Sequence, residues 1–139
     1  MGGSARGIGQ GICINFAKTG ATVAAFDFRE TKETIELVKK ENGGAPAKGW
    51  QVDGTDNKAV KAAIDQVEKE LGSIDILVNC AGISNSRPVL MENYENFEKA
   101  MNTNCGAVSP IPTNPTLLFL SVVHKTYILD GDFNSPCPS

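Results

Sequence analysis

Two periods alternate along this chain. From Ile8, apolar residues recur at Ile12 and Phe16, a four-residue spacing that lines one face of a helix, and Gly20 follows as its C-terminal cap. Thr22 to Phe26 is a short, almost wholly apolar run that stops at Asp27, as expected of a strand buried on both faces of a parallel sheet. A second helix is predicted over Thr31 to Glu41, with Ile35 and Val38 inward and Asn42-Gly43-Gly44 as its stop. Ala47 to Val52 reads as the next strand, ending at Asp53. Asp56 then makes an N-cap for a long helix with Val60, Ile64, Val67 and Leu71 on one stripe, and Lys58, Lys61, Asp65, Glu68 and Lys69 facing solvent. Gly72 closes it, and Ile74 to Val78 is a third apolar strand ending at Asn79. Strands alternating with amphipathic helices make βαβ units, so the class is α/β with a parallel sheet.

Beyond Gly82 comes a loop with Arg87-Pro88, then a helix over Asn93 to Met101 carrying Tyr94, Phe97 and Met101. That stripe reads as core packing, with a subunit interface as the alternative. After Cys105 the texture changes. The stretch 106–139 holds five of the seven prolines and three charged residues, Lys125, Asp130 and Asp132. Pro110, Pro112 and Pro115 stop any helix there, and no period is sustained apart from the apolar run Leu117 to Val123.

Composition narrows the class. The chain has 139 residues, 41% of them apolar, enough for one domain with a real core. A net charge of −3 without a basic run argues against nucleic acid or an anionic membrane surface as a partner. No apolar run approaches the roughly 18 residues a membrane span needs, and Arg6 with its neighbouring glycines breaks any signal-peptide core. The four cysteines, Cys13, Cys80, Cys105 and Cys137, lie far apart and read as free thiols, so the cytoplasm is the expected compartment.

The chemistry gathers at loop positions. Gly3-Ser4-Ala5-Arg6-Gly7-Ile8-Gly9 lets the backbone turn sharply, approach a ligand and enter a helix whose free amides suit a pyrophosphate. Asp27 lies eighteen positions beyond Gly9, at a strand tip, where a carboxylate accepts hydrogen bonds from the ribose hydroxyls of adenosine. It would repel a 2′-phosphate and so favours NAD, whereas Arg6 would tolerate NADP. Asp53-Gly54-Thr55-Asp56 and Asn79-Cys80-Ala81-Gly82 end the next two strands, and ligands of open parallel sheets bind outside such carboxyl ends. There Asp53 is placed to meet an adenine amino group, and Ala81 and Gly82 let the backbone approach a ribose.

In these motifs the chain resembles the N-terminal half of a classical short-chain dehydrogenase/reductase over about residues 2–105. Gly3 to Gly9 matches the glycine-rich GxxxGxG, with Gly2 where a threonine is usual. Asp53 to Asp56 resembles the adenine-pocket motif, with Gly54 in place of an aliphatic residue, and Asn79 to Gly82 matches NNAG with Cys80 at its second position. Asn102-Thr103-Asn104 resembles the helix end that carries the family's catalytic asparagine, a role placed on Asn104 with Asn102 as the alternative. The resemblance implies a Rossmann-like doubly wound parallel sheet in order 3-2-1-4. It implies cofactor contacts from Gly3, Ser4, Arg6, Gly7, Ile8, Gly9, Asp27, Asp53, Gly54, Asn79, Ala81 and Gly82, with NAD or NADP as cofactor and no metal.

Two departures shape the expected function. No strand precedes the glycine loop, so the sheet is expected to lack its first, central strand, with 1–105 a partial dinucleotide-binding domain and 106–139 an irregular tail foreign to the family. Leu117 to Val123 is the one run able to fill the gap or pair beside Ile74 to Val78. The family's Tyr-x-x-x-Lys is also missing: Tyr94 and Tyr127 are followed four positions on by Glu98 and Gly131. Ser121 and His124 are poor stand-ins. The expectation is a truncated relative of NAD(P)-dependent enzymes that move hydride between nicotinamide and a carbonyl or alcohol carbon, itself of little or no activity. The alternatives are a non-catalytic NAD-binding or regulatory module that pairs with a full-length relative, or a fragment that does not fold.

Overall fold

In the computed structural model, residues 3–84 and 93–105 are described in full and 118–121 as backbone. The elements run α1 (Gly7–Lys18), β1 (Val23–Asp27), α2 (Lys32–Glu41), β2 (Ala47–Gln51), α3 (Asn57–Leu71), β3 (Ile76–Asn79), α4 (Tyr94–Asn104) and β4 (Leu118–Ser121). Arg87-Pro88, Ser121's side chain, His124 and Tyr127 lie outside what is described.

β1 and β2 pair in parallel, Val23 opposite Ala47 through Asp27 opposite Gln51. The alternation of side chains then decides where the helices go. Ala25 and Gly49 turn one face towards α2, where a Cβ on Gly49 would fall 1.9 Å from the Thr31 hydroxyl. Phe26 and Trp50 meet on the other face, ring centroids 5.5 Å apart and planes inclined at 58°, and Trp50 Nε1 donates to Gln66 of α3 at 2.9 Å. Lys48, on that same face, pairs with Glu70 of α3. Helices therefore cover both sides of the β1–β2 pair, as a doubly wound α/β sheet requires.

The main core joins α1, β1 and α2 through Cys13, Ala17, Val23, Ala25 and Val38. The buried stripe of α1 is Gly9, Cys13 and Ala17, one position on from the expected Ile8, Ile12 and Phe16, and Ile8 is 51% exposed. Small side chains let the helix approach β1 and the glycine loop closely; the bulky ones flank that contact. On α3, Asp56 caps as expected, accepting from the amides of Lys58 at 2.9 Å and Ala59 at 3.1 Å. Ala63 and Val67 are its buried positions.

β3 and β4 form a second parallel pair, Ile76 opposite Leu118 through Asn79 opposite Ser121. The stretch expected to be irregular thus supplies a strand, and it pairs beside Ile74 to Val78, one of the two places its composition suited. No described strand joins this pair to β1–β2. α4 has no buried residue, and Tyr94 (76% exposed), Phe97 (56%) and Met101 (46%) stand in solvent, so its stripe does not pack into the core.

Candidate functional site

The glycine loop lies between β1 and the segment after β3. Ser4 N and Ser4 Oγ both donate to Phe26 O, at 3.1 and 2.7 Å, which fastens the loop to β1. On its other side Gly3 presses against the segment after β3: a Cβ there would fall 2.8 Å from the Ala81 backbone. Gly3 also adopts φ +71°, a conformation a side chain would strain. Gly9 is just as confined, since a Cβ would meet Gly3 O at 1.9 Å. Gly7 differs. It has φ +60° but open space where a Cβ would project, so the loop is clear on that side.

This loop delivers the first turn of α1 without competition. Arg6 occupies the N-cap with no side-chain cap, and no acidic residue lies in the first turn. The uncapped amides and the helix dipole together favour an anion there.

Asp27 stands beside this turn. Its Oδ2 accepts from Ala5 N and its Oδ1 from Arg29 N, each at 2.9 Å, so the carboxylate is oriented by backbone on both sides. Each oxygen keeps a second lone-pair direction for a ligand hydroxyl. Val52 N donates to Asp27 O at 2.8 Å, which sets the start of the Asp53 turn next to it. Asp53 Oδ1 accepts from Thr55 N at 2.9 Å and Thr55 Oγ1 at 2.6 Å, and these bonds hold its carboxyl below the ordinary value. Gly54 is half-buried within that turn.

Across the loop, Asn79 ends β3. Its side-chain Nδ2 is buried and finds no acceptor among the described residues. Ala81 and Gly82 follow as exposed backbone. Asn104, the last residue of α4, closes this side: its Nδ2 donates to Ile83 O at 2.9 Å and its Oδ1 accepts from Ile83 N at 2.8 Å. The structure therefore brings Asn104 to the segment after β3 and leaves Asn102 exposed on the helix.

The fold brings the four strand and loop tips named from the sequence to one rim. Ser4, by contrast, has its side chain fully buried and spent on β1, and Arg6 and Ile8 point outward as exposed residues. Two residues without any motif also shape the loop. Thr34 Oγ1 on α2 donates to Ser4 O at 2.8 Å, and Gln10 Nε2 on α1 donates to Thr34 Oγ1 at 3.0 Å. Nothing in their spacing marks them.

Burial pushes the Cys13 thiol up to about 11 and raises Cys80 as well, so neither is a ready thiolate. Among the described residues no cluster of His, Cys, Asp and Glu is able to hold a metal ion, and no helix is long and apolar enough to cross a membrane. A shallow depression is lined by Glu30, Lys32, Glu33 and Glu36, and its three carboxylates disfavour a phosphate.

Residues 1–111 match the family model described as short chain dehydrogenase. A 3-oxoacyl-(acyl-carrier-protein) reductase of Thermotoga maritima is 34% identical over 108 residues, 76% of this chain and 43% of that enzyme. A 3alpha-hydroxysteroid dehydrogenase of Mediterraneibacter gnavus is 35% identical over a match covering the same two shares. Among solved structures, carveol dehydrogenase from Mycobacterium avium in complex with NAD superposes with a TM-score of 0.71 at 27% identity, covering 78% of this chain and 44% of that one. The chain thus spans less than half the length of each of these relatives.

Proposed function

As the chain belongs to the short-chain dehydrogenase family, we propose that it binds a nicotinamide dinucleotide at the rim formed by the glycine loop and the ends of β1, β2 and β3, with NAD favoured over NADP. One observation carries this reading: an uncapped helix N-terminus, reached through a loop that only glycine fits at Gly3 and Gly9, with the oriented Asp27 carboxylate beside it. The first-turn amides of α1 take the pyrophosphate, Asp27 accepts from the adenosine ribose, and the Asp53–Gly54 turn borders the adenine. Exposed Ala81 and Gly82, following Asn79 at the end of β3, leave room for the second ribose. A bound dinucleotide supplies the hydride chemistry; these residues bind and orient it.

The reaction of the intact relative is read as hydride exchange with a carbonyl or alcohol carbon. In these 139 residues no Tyr-x-x-x-Lys is present to move the accompanying proton, and Asn104 spends its side chain on Ile83. We therefore expect these residues alone to turn over little or nothing. The test is a titration of the 139-residue chain with NADH and NADPH, read as energy transfer from Trp50, its single tryptophan, to the reduced nicotinamide. Saturable binding with NADH the tighter ligand is expected; no saturation with either overturns the reading. Turnover of a carbonyl panel at an ordinary enzymatic rate overturns the expectation of inactivity.

The exposed stripe of Tyr94, Phe97 and Met101 favours a second reading, in which α4 pairs this chain with a full-length relative as a non-catalytic module. Co-purification on co-expression is its expected outcome, and loss of pairing in Phe97→Glu locates it. A reducing cytoplasmic compartment suits Cys13, Cys80 and Cys105, which form no disulfide among the described residues.

A further inference from the structure

The glycine loop is held from three directions, and one of them is a helix with no part in the rim. β1 fixes Ser4 through Phe26 O, and Asp27 fixes Ala5 N. The Ser4 carbonyl is left, and Ser4 is fully buried, so water cannot satisfy it in this conformation. Thr34, itself fully buried and 30 residues further along the chain, supplies the missing donor at 2.8 Å. A helical threonine hydroxyl ordinarily bonds back to a carbonyl of its own helix. Thr34 reaches across to the loop instead. Its oxygen accepts from Gln10 Nε2 at 3.0 Å, and the same Gln10 nitrogen approaches Ala5 O at 3.4 Å. α2 thereby closes on the Ser4 carbonyl through the Thr34 hydroxyl and α1 on the Ala5 carbonyl through Gln10, the two linked by the Gln10–Thr34 bond.

We propose that Thr34, braced by Gln10, is the positioning residue of the dinucleotide loop: it locks Ser4 and Ala5 so that the amides after them are already in place before ligand arrives. The proposal rests on the dinucleotide reading above and adds a residue that touches no ligand. Removing the hydroxyl strands a buried carbonyl and leaves Gln10 Nε2 with only its longer bond to Ala5 O. The loop then relaxes towards water, and binding has to reorder it, which weakens affinity. α2 becomes the element through which the rest of the fold tunes the loop.

The experiment compares the full chain with Thr34→Val, which keeps the shape and loses the hydroxyl, Thr34→Ser, which keeps the hydroxyl, and Val67→Ala, a core truncation on α3 remote from the loop. Two readouts are taken at a temperature where all four are folded: amide hydrogen exchange at Ser4 and Ala5 without ligand, and NADH affinity. Thr34→Val is expected to speed exchange at both amides and to weaken NADH about tenfold. Thr34→Ser stays within about twofold of the unaltered chain, and Val67→Ala lowers stability without changing exchange at Ser4 and Ala5 relative to its own core. Unchanged exchange in Thr34→Val, or equal loss in Val67→Ala, overturns the proposal. Protected loop amides that depend on Thr34 in a chain that binds no NADH would sink the dinucleotide reading while leaving the lock intact.

Discussion

Replacing Gly9 with alanine tests the geometry on which the rim depends. The added Cβ would lie 1.9 Å from Gly3 O and 2.7 Å from Gly3 C, where ordinary contact begins near 3.4 Å. Relief therefore requires about 1.5 Å of movement between α1 and the loop, and forced overpacking of this kind typically costs about 1–3 kcal/mol. The loop cannot retreat, because Gly3 already lies against the Ala81 backbone on its far side. α1 has to move, and a displacement of about 1 Å between binding groups and ligand is worth up to about 100-fold. The expected result is a lowered melting temperature together with at least about 30-fold weaker NADH binding. Gly11→Ala is the matched control, the same change half a turn further along α1. A Cβ there meets nothing within 4 Å, and alanine inside a helix gains about 0.5–1 kcal/mol over glycine. Gly11→Ala should thus melt about 2–5 °C higher. If Gly9→Ala melts and binds like the unaltered chain, or if Gly11→Ala does equal damage, the reasoning from close approach is wrong.

Two other perturbations have opposite targets. Asn104→Ala removes both bonds to Ile83 and should cost about 1–3 kcal/mol, read as faster amide exchange throughout α4 while α1 to α3 keep their protection; unchanged α4 exchange would show that the pair holds nothing. Cys13 gives a pH signature. Its folded value, raised by burial to about 11, exceeds the ordinary 9.0, so the contribution to stability is complete below pH 9 and is lost as pH rises to 11, because only the unfolded chain ionises early. Two units correspond to about 2–3 kcal/mol. Denaturant titrations at pH 8 and pH 11 should show that much less alkaline loss in Cys13→Ala, and an identical loss in both chains would refute it.

How far these features were legible depends on range. Asp56 as an N-cap and Gly72 as a stop follow from neighbours a few positions apart and stand where the periodicity puts them, whereas the C-terminal ends of β1 to β3 fall one residue from the expected ones and β3 starts at Ile76, two residues later than Ile74. The α1 face was misread because a four-residue period identifies a stripe without saying what it must approach. Bulky Ile8, Ile12 and Phe16 satisfy the period, yet a helix lying against a glycine loop needs Gly9, Cys13 and Ala17 inward. The stripe on α4 has the same period as a core helix and is exposed, since burial depends on what the rest of the fold lays over it.

The glycine loop's spacing, the acidic tip at Asp27 and the alternation of elements were determined by the sequence by itself, because each is a local requirement of backbone conformation or side-chain period. Only the tertiary structure decided that the glycine loop bonds β1 through Ser4 and lies against the segment after β3 through Gly3, and that Thr34 completes Ser4. It alone decided that Leu118–Ser121 pairs with β3, and that Asn104 rather than Asn102 reaches Ile83. Those contacts join residues 21 to 78 positions apart or link separate strands. Their existence depends on how helices and strands cross, a geometry set by the packing of all of them together.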